Sequence, residues 1–318
     1  MATLIISTFI TISANNWISM WIGLEINMMS FIPLIIDKSN KSSAEAAMIY
    51  FLTQSVSSMI LMMMVLIMMC KYLVPKSVIS MIIMMSISIK LGAAPFHAWM
   101  PKIMAAMEWS KCCMLMTWQK IAPLFMISSL NNSLIMNLII MSSVIIGSLG
   151  GLNQVSLRKM MAYSSINHLG WMLAIIKSMN LWIMYLFIYS IMVMSMCYLF
   201  YNYKLNFINQ MSSINMMNTE KTSLFIMMLS MGGLPPFVGF MPKWIVIQSL
   251  VNNKEIFLIM IMVLFSLVTL MYYLRVMINM YLTFNSSVKW SFNYSNYSTV
   301  AIMGINLSLP LIMIIDMI

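Results

Sequence analysis

Eleven apolar segments run end to end through this chain of 318 residues, and the joins between them are only a few residues long. Hydrophobic residues make up 62% of the sequence and charged residues only 8%, whereas a soluble domain carries about 25% charged residues. Apolar segments of about 20 residues fit helices that span a bilayer and satisfy their own backbone polar groups. The sequence therefore predicts an all-α polytopic membrane protein with about 11 transmembrane helices, a single integral membrane domain over residues 1–318 and no soluble domain. The predicted segments are 2–15, 17–36, 44–69, 77–99, 111–130, 133–151, 158–177, 180–203, 222–250, 255–284 and 298–317.

The basic residues are spread singly between the apolar segments, so the net charge of +10 is typical of membrane-helix flanks and does not indicate nucleic-acid binding. The joins after even-numbered segments hold nine Lys and Arg residues, and those after odd-numbered segments hold four. Because positive residues concentrate on the inner side of a membrane, we predict that the N-terminus lies on the matrix-type face. The nine are Lys38, Lys41, Lys102, Lys111, Arg158, Lys159, Lys204, Lys221 and Lys289, and the four are Lys71, Lys76, Lys177 and Lys254.

Two stretches of the chain repeat each other at an offset of 141 residues. KLGAAPFHAWMPK at 90–102 and MGGLPPFVGFMPK at 231–243 match at six positions. Pro95 in the first stretch and Pro235 and Pro236 in the second predict helix breaks, because proline removes a backbone hydrogen bond. The stretches lie in segments five helices apart, so they must cross the membrane in opposite directions. This pattern predicts two discontinuous helices in an inverted repeat, the architecture of antiporter-like transporters.

Five charged residues lie well away from the ends of the predicted segments, and a charge costs about 2.5–3.5 kcal/mol at a helix centre. Because the chain has so few charged residues elsewhere, we expect these five to have a functional role. Lysine suits a proton path because burial disfavours its ammonium form and a nearby carboxylate favours it. The alternatives are a structural ion pair for Glu25 and side chains that extend to the membrane surface for Lys90 and Lys243. The five residues are Glu25, Lys90, Lys120, Lys243 and Arg275.

We predict a proton relay formed by Glu25, Lys90, Lys120, Lys243 and His97. Lys120 is central to its segment and farthest from either end, and Pro123 predicts a helix break just after it. His97 follows the break at Pro95, and a near-neutral pKa makes histidine suitable for proton transfer. For His168, in SSINHLGW, a structural role is favoured. Arg275 is expected to pair or to extend to the surface beside two tyrosines.

No motif for a redox cofactor is present. The sequence has no CxxC pair, GxGxxG or Walker motif, and its cysteines show no metal-ligand spacing. We therefore expect no redox-catalytic residue, cofactor or metal site in this chain. The four cysteines are Cys70, Cys112, Cys113 and Cys197.

Six longer motifs together resemble the antiporter-like membrane subunit family of animal mitochondrial respiratory complex I. The 45 methionines agree with a gene in an animal mitochondrial genome, because animal mitochondria read an extra AT-rich codon as Met. The resemblance covers almost the whole chain. The motifs are WIGLEINMMSFIPL at 21–34, EAAMIYFLTQ at 45–54, KLGAAPFHAWMP at 90–101, TWQKIAP at 117–123, GGLNQVSLRKMMAYSSINHLGWM at 150–172 and SMGGLPPFVGFMPKW at 230–244.

The resemblance implies a role for each charged residue. It implies that Glu25 and Lys90 form a modulating pair, that Lys120 is the central proton carrier and that Lys243 lies on the exit side. It also implies a subunit of the H⁺-translocating NADH:ubiquinone reductase in the mitochondrial inner membrane, without a redox site of its own. NADH, FMN, iron–sulfur clusters and ubiquinone would be used elsewhere in the parent complex. The expected partners are other membrane-arm subunits and phospholipids such as cardiolipin.

Two other functions stay open on the sequence alone. One is a standalone cation/proton antiporter, although alkali-ion sites need oxygen ligands and Glu25 is the only clearly intramembrane acid. The other is a structural membrane subunit without an ion path, in which the buried charges serve only to pair helices.

Overall fold

The computed structural model describes residues 1–37, 40–70, 75–130, 133–213, 218–282 and 297–308. Across these ranges the chain forms α-helices, one 3₁₀ turn at Trp118–Lys120 and one isolated β-bridge between Ser156 and Phe207. The helices are α1 (Ala2–Ser13), α2 (Trp17–Ile35), α3 (Lys41–Met69), α4 (Lys76–Leu91), α5 (Trp99–Ala106), α6 (Trp109–Met116), α7 (Ile121–Ser128), α8 (Ser133–Gly151), α9 (Leu157–Ala174), α10 (Met179–Asn202), α11 (Gln210–Ser213), α12 (Asn218–Gly232), α13 (Phe240–Asn252), α14 (Ile256–Leu282) and α15 (Tyr297–Asn306).

Five helices within the described residues are long and apolar enough to cross a membrane by length and composition. They correspond to the second, third, sixth, eighth and tenth predicted segments. The first segment is a helix of 12 residues, about 18 Å long, which is shorter than the roughly 30 Å hydrocarbon core. The five are Trp17–Ile35, Lys41–Met69, Leu134–Gly151, Met179–Asn202 and Ile256–Tyr281.

The predicted total of eleven spans remains a prediction. Several predicted segments are interrupted or shorter helices, and the last, 298–317, is described only as far as residue 308. Lys38, Lys71 and Lys289, which contributed to the predicted orientation, lie outside the described residues.

The repeated stretches have the same local conformation. Seven residues separate α4 from α5, and seven residues separate α12 from α13. Gly92 and Gly233 follow the first half-helix of each pair, with φ of +70° and +79°, a conformation that glycine adopts without steric cost. Their N–H groups donate to Ile89 O at 3.1 Å and to Ser230 O at 2.9 Å, acceptors that are also 141 residues apart. The sequence repeat is therefore a conformational repeat.

The prolines of the repeat lie inside these two breaks. Pro95 lies between α4 and α5, after a cis peptide bond, and Pro235 and Pro236 lie between α12 and α13. Phe96 N–H donates to Ala93 O at 2.9 Å, and the equivalent Phe237 N–H donates to Leu234 O at 3.1 Å. Each break is thus a closed turn that leads directly into the second half-helix.

A third interruption divides the fifth predicted segment, and it lies earlier than expected. Helix α6 ends at Met116, the 3₁₀ turn follows, and α7 begins at Ile121. Pro123 is the third residue of α7, where its missing N–H removes no helix hydrogen bond, because the first four N–H groups of a helix have no partner within the helix. The interruption therefore falls on Lys120 itself.

Helix α9 is the centre of the bundle. It packs against α5, α6, α8, α10 and α13, and every residue from Ser164 to Leu173 is buried. Because protein surrounds it, the polar sequence SSINH is enclosed by other helices and does not face lipid. This burial places the polar residues of α9 where they can contact intramembrane charges of neighbouring helices.

Candidate functional site

Lys90 lies in the last turn of α4, directly before the first break. Lys90 is 7% exposed, and its backbone carbonyl accepts a 3.3 Å hydrogen bond from Gln54 Nε2 of α3. The C-terminal end of a helix carries partial negative charge and favours a cation in its last turn. The fold therefore supports an ammonium group here without requiring a carboxylate in contact.

Glu25 projects from α2 into the same region. Its Oε1 is buried and accepts no hydrogen bond from the described residues. The charge of Glu25 acts electrostatically on Lys90. Among the described residues, however, no salt bridge within 4 Å joins Glu25 and Lys90. The structure thus places the Glu25 carboxylate near the Lys90 ammonium without direct contact between them.

One cavity joins Lys90 to Lys120. It has a volume of about 20 Å³, room for about one water molecule. The amide groups of Asn27, Gln54 and Gln119 lie in its lining together with the Tyr50 ring. Buried amides and hydroxyls of this kind can bind water or pass a proton between charged groups. The apolar lining residues are Leu24, Met28, Leu91, Trp99, Met100, Leu115 and Pro123.

Lys120 occupies the end of the 3₁₀ turn and is 2% exposed. Its Nζ donates a 3.1 Å hydrogen bond to Ser165 O of α9. The same atom lies 4.9 Å from the centre of the Tyr189 ring of α10, which favours a cation over its face. These contacts stabilise the ammonium form only with neutral groups, so the lysine can release a proton without breaking an ion pair.

His168 of α9 lies between Lys120 and Lys243. It is 4% exposed. Its ring centre is 4.9 Å from that of Tyr189, the ring that Lys120 faces, and it lines the same gap as Lys243. Its Nδ1 is 2.8 Å from the hydroxyl of Tyr185. Sequence reasoning left His168 out of the relay. The signal that marked it was its place in SSINH, a polar run within an apolar chain.

Lys243 lies near the start of α13 and is 5% exposed. Its Nζ donates a 2.8 Å hydrogen bond to Gly232 O, the last residue of α12, and lies 5.6 Å from the Trp171 ring centre. The lysine also lines a gap that is too small to hold a water molecule. Its other lining residues are Ser164, Asn167, His168, Thr269, Tyr272 and Tyr273.

His97 and Arg275 lie apart from this line. His97 is half-buried in the first break, with Nδ1 3.3 Å from Pro95 O and its ring 6.3 Å from that of Tyr163. It does not line the cavity that joins Lys90 and Lys120. Arg275 is exposed and donates to Leu152 O at 2.8 Å, as expected for a side chain that extends to the surface.

The arrangement is a buried row of groups that can accept a proton. Among the described residues, no three His, Cys, Asp or Glu side chains lie close enough to hold a metal ion. Three lysines and one histidine are instead linked by the cavity that Lys90 and Lys120 line, by the Tyr189 ring that contacts both Lys120 and His168, and by the gap that His168 and Lys243 line. Chemically, such a row can accept, hold and transfer protons.

Comparison with known proteins gives one consistent family. The family model described as "NADH:quinone oxidoreductase/Mrp antiporter, TM" matches residues 14–269. NADH-ubiquinone oxidoreductase chain 2 of Aedes aegypti is 46% identical over 312 residues, covering 95% of this chain and 92% of that protein. The same subunit of Anopheles gambiae is 43% identical over 304 residues, covering 92% and 89%.

Solved membrane complexes share the fold. A chain of respiratory complex I from Thermus thermophilus, solved with bound aureothin, superposes with a TM-score of 0.82 at 18% identity, covering 95% of this chain and 74% of that one. A chain of the Mrp complex from Dietzia sp. superposes with a TM-score of 0.77 at 17% identity, covering 88% and 59%. At these identities the likeness is one of fold.

Proposed function

This chain belongs to the NADH:quinone oxidoreductase/Mrp antiporter family, and we propose that it is a proton-translocating subunit in the membrane arm of respiratory complex I. In this proposal it lies in the mitochondrial inner membrane with its N-terminus on the matrix side. Other subunits hold NADH, FMN, the iron–sulfur clusters and ubiquinone. Its partners are the neighbouring membrane-arm subunits, with phospholipids such as cardiolipin around them. The two broken helices form the inverted repeat that surrounds the proton path.

The observation that carries the proposal is the buried row from Lys90 through Lys120 and His168 to Lys243. Each lysine is at most 7% exposed. Lys90 and Lys120 line one cavity. Lys120 faces the Tyr189 ring, whose centre is 4.9 Å from that of His168, and His168 and Lys243 line one gap. A structural role needs partners for buried charges, and removing a partner from a buried pair costs several kcal/mol. Lys120 and Lys243 are held by carbonyl oxygens and aromatic faces instead, which favours proton exchange over helix pairing.

In the proposed mechanism, Glu25 modulates the charge of Lys90. When the carboxylate approaches, the ammonium form of Lys90 is stabilised, and its charge repels a proton on Lys120 across the shared cavity. Moving one charge against 100 mV requires about 2.3 kcal/mol. At an effective dielectric constant of 20, two like charges repel by about that much when they are about 7 Å apart.

Lys120 then passes its proton through His168 to Lys243, on the proposed exit side. His168 has two ring nitrogens and can accept on one while it releases from the other. We assign His97, in the break beyond Lys90, to proton exchange between Lys90 and the half-buried surface of the break. Pro95, Pro235 and Pro236 keep the breaks open to these groups, and Pro123 begins the helix that positions Lys120.

The proposal is tested by comparing driving forces. The complex is reconstituted in vesicles, and proton uptake is followed with a pH-sensitive dye. A complex I subunit moves protons only while NADH reduces ubiquinone. A standalone antiporter would instead move protons in response to a sodium or potassium gradient without NADH, and that result would contradict the proposal.

A further inference from the structure

A cavity of about 350 Å³ lies at one end of the helix bundle, and none of the residues of the buried row lines it. It is formed where α7, α9 and α13 end and where α8, α10 and α14 begin. Volumes of about 300–1,000 Å³ are typical of ligand pockets in proteins. The cavity can therefore hold a small molecule or part of a lipid.

The three joins around this cavity belong to one face of the membrane. In the predicted topology the chain crosses the membrane twice between the α7–α8 join and the α9–α10 join, and twice more before the α13–α14 join, so it returns to the same face each time. Lys177 lies in the second of these joins and Glu255 in the third. Because the apolar helices end here, the cavity lies at the depth of the lipid headgroups.

The lining of the cavity has an apolar part and a polar part. Met136 and Ile140 of α8 and Leu173 of α9 form its buried apolar part. Asn252 and Asn253, at the end of α13, are exposed and belong to the polar part. A site that is apolar toward the bundle and polar toward the membrane surface is complementary to an amphipathic ligand.

One cation and one anion line the polar part of the cavity without pairing. Lys177 is exposed and Glu255 is half-buried, and within the described residues neither forms a salt bridge within 4 Å. Two opposite charges that line one cavity without neutralising each other are complementary to a ligand that carries both signs. The amides of Asn252 and Asn253 can donate to phosphate oxygens and accept from an ammonium group.

We propose that this cavity binds a zwitterionic phospholipid of the phosphatidylethanolamine class. The lipid phosphate accepts a hydrogen bond from Lys177 Nζ, and the lipid ammonium donates to the Glu255 carboxylate, both of them charge-assisted bonds. Phosphatidylcholine has no N–H group to donate to Glu255, and phosphatidylglycerol brings no cation to it. The first carbons of an acyl chain contact Met136 and Ile140. Binding requires a membrane around the chain and does not depend on proton transfer by any lysine.

The test uses the intact complex in phosphatidylcholine vesicles that contain a trace of phosphatidylethanolamine with a photoreactive diazirine near its glycerol group. After illumination, labelled peptides are identified by mass spectrometry. We expect label within 136–140, 173–181 or 249–255, and added unlabelled phosphatidylethanolamine should reduce it more than the same amount of phosphatidylglycerol does. Equal competition by the two lipids would indicate general contact with the bilayer and would overturn the proposal. Absence of label there, as when a neighbouring subunit covers the cavity, would also overturn it.

Variants of the lining charges test the two assigned contacts. Glu255→Gln and Lys177→Gln should each lower labelling by about two- to fivefold, the effect of losing one partly exposed ion pair. The matched control is Lys254→Gln, which removes an adjacent exposed cation that does not line the cavity and should leave labelling unchanged. Equal labelling of the Glu255→Gln and Lys254→Gln complexes would contradict the assigned ammonium contact. Labelling requires no electron transfer, so its outcome is independent of the NADH-driven pumping that tests the proposed function.

Discussion

The ammonium group of Lys243 donates a 2.8 Å hydrogen bond to the carbonyl oxygen of Gly232, across the break in its own helix. Gly232 is the last residue of α12, so its carbonyl has no partner within the helix. The helix dipole adds negative charge at this end. The break therefore creates a cation site without a carboxylate, and Lys90, in the last turn of α4, occupies the end of the equivalent half-helix in the first repeat.

Replacing Lys243 with methionine should remove the exit-side proton carrier while keeping a similar side-chain volume. Proton-transfer groups contribute about 10²–10⁴-fold to rates, so Lys243→Met should lower NADH-driven pumping by at least about tenfold. Dye-reported acidification of reconstituted vesicles measures this loss. The matched control is Lys102→Met at the equivalent repeat position, where the side chain is exposed. Equal effects of the two substitutions would contradict the assignment.

Gly233 should be intolerant of a side chain. Its φ is +79°, and a Cβ there would lie 2.8 Å from Lys243 Nζ. The left-handed conformation costs a non-glycine residue about 1–2 kcal/mol, and the methyl group would displace the ammonium from Gly232 O. We expect Gly233→Ala to lower pumping several-fold. Gly232→Ala is the control, because its Cβ would meet Leu270 at an ordinary 3.4 Å. Normal pumping by Gly233→Ala would show that this placement of Lys243 is unimportant.

His168 should connect Lys120 and Lys243. His168→Leu removes the shared proton acceptor, so we expect pumping to fall about tenfold or more. Tyr185→Phe removes the hydroxyl 2.8 Å from Nδ1 and should cause a smaller loss, whereas Tyr201→Phe, an exposed tyrosine on the same helix, should cause none. Pumping rates with matched complex content measure all three. A normal pumping rate for the His168→Leu complex would show that His168 does not carry protons between Lys120 and Lys243.

His97 provides a separate test of the proposed proton exchange between Lys90 and the surface of the first break. In the proposed role, His97→Leu slows proton exchange with Lys90 and should reduce pumping less than His168→Leu, because the half-buried break stays accessible to water. The comparison uses initial pumping rates at equal NADH oxidation. A His97→Leu complex that pumps at the full rate would exclude His97 from the path.

Glu25 and Lys90 should be energetically coupled even though no salt bridge joins them in this structure. Charged neighbours show interaction energies of about 0.5–3 kcal/mol in double-mutant cycles. We therefore expect Glu25→Gln combined with Lys90→Met to lower pumping by less than the product of the two single effects. Glu45→Gln, at an exposed position, is the control and should combine multiplicatively with Lys90→Met. If the fold-losses in pumping caused by Glu25→Gln and Lys90→Met also multiply in the double variant, the two residues are not coupled, and this result would contradict the modulating pair.

The long apolar helices and the two repeated breaks could be predicted because their signals are local. Pro95, Pro235 and Pro236 and the positive-φ glycines each act on the backbone around them. The interruption at Lys120 was expected later, at Pro123, because proline is tolerated in the first turn of a helix and no glycine marks the actual site. Its position depends on the contacts of Lys120 with α9 and α10.

The geometry of the row could not be predicted, because it depends on how helices pack. The sequence identified three buried lysines but gave no distance between them, and it favoured a structural role for His168. Only the central position of α9 brings His168 beside the Tyr189 ring that Lys120 faces and into the gap that Lys243 lines. The same limit applies to Glu25, which lies near Lys90 without a salt bridge.

The number of protons pumped per NADH by Lys120→Met tests the central claim most directly. Assembly is verified by native electrophoresis, and Lys102→Met serves as the matched control. If Lys120 is the central carrier, the complex assembles and its pumping falls by at least about tenfold, with the control unchanged. An assembled Lys120→Met complex that oxidises NADH and pumps the normal number of protons would contradict the relay.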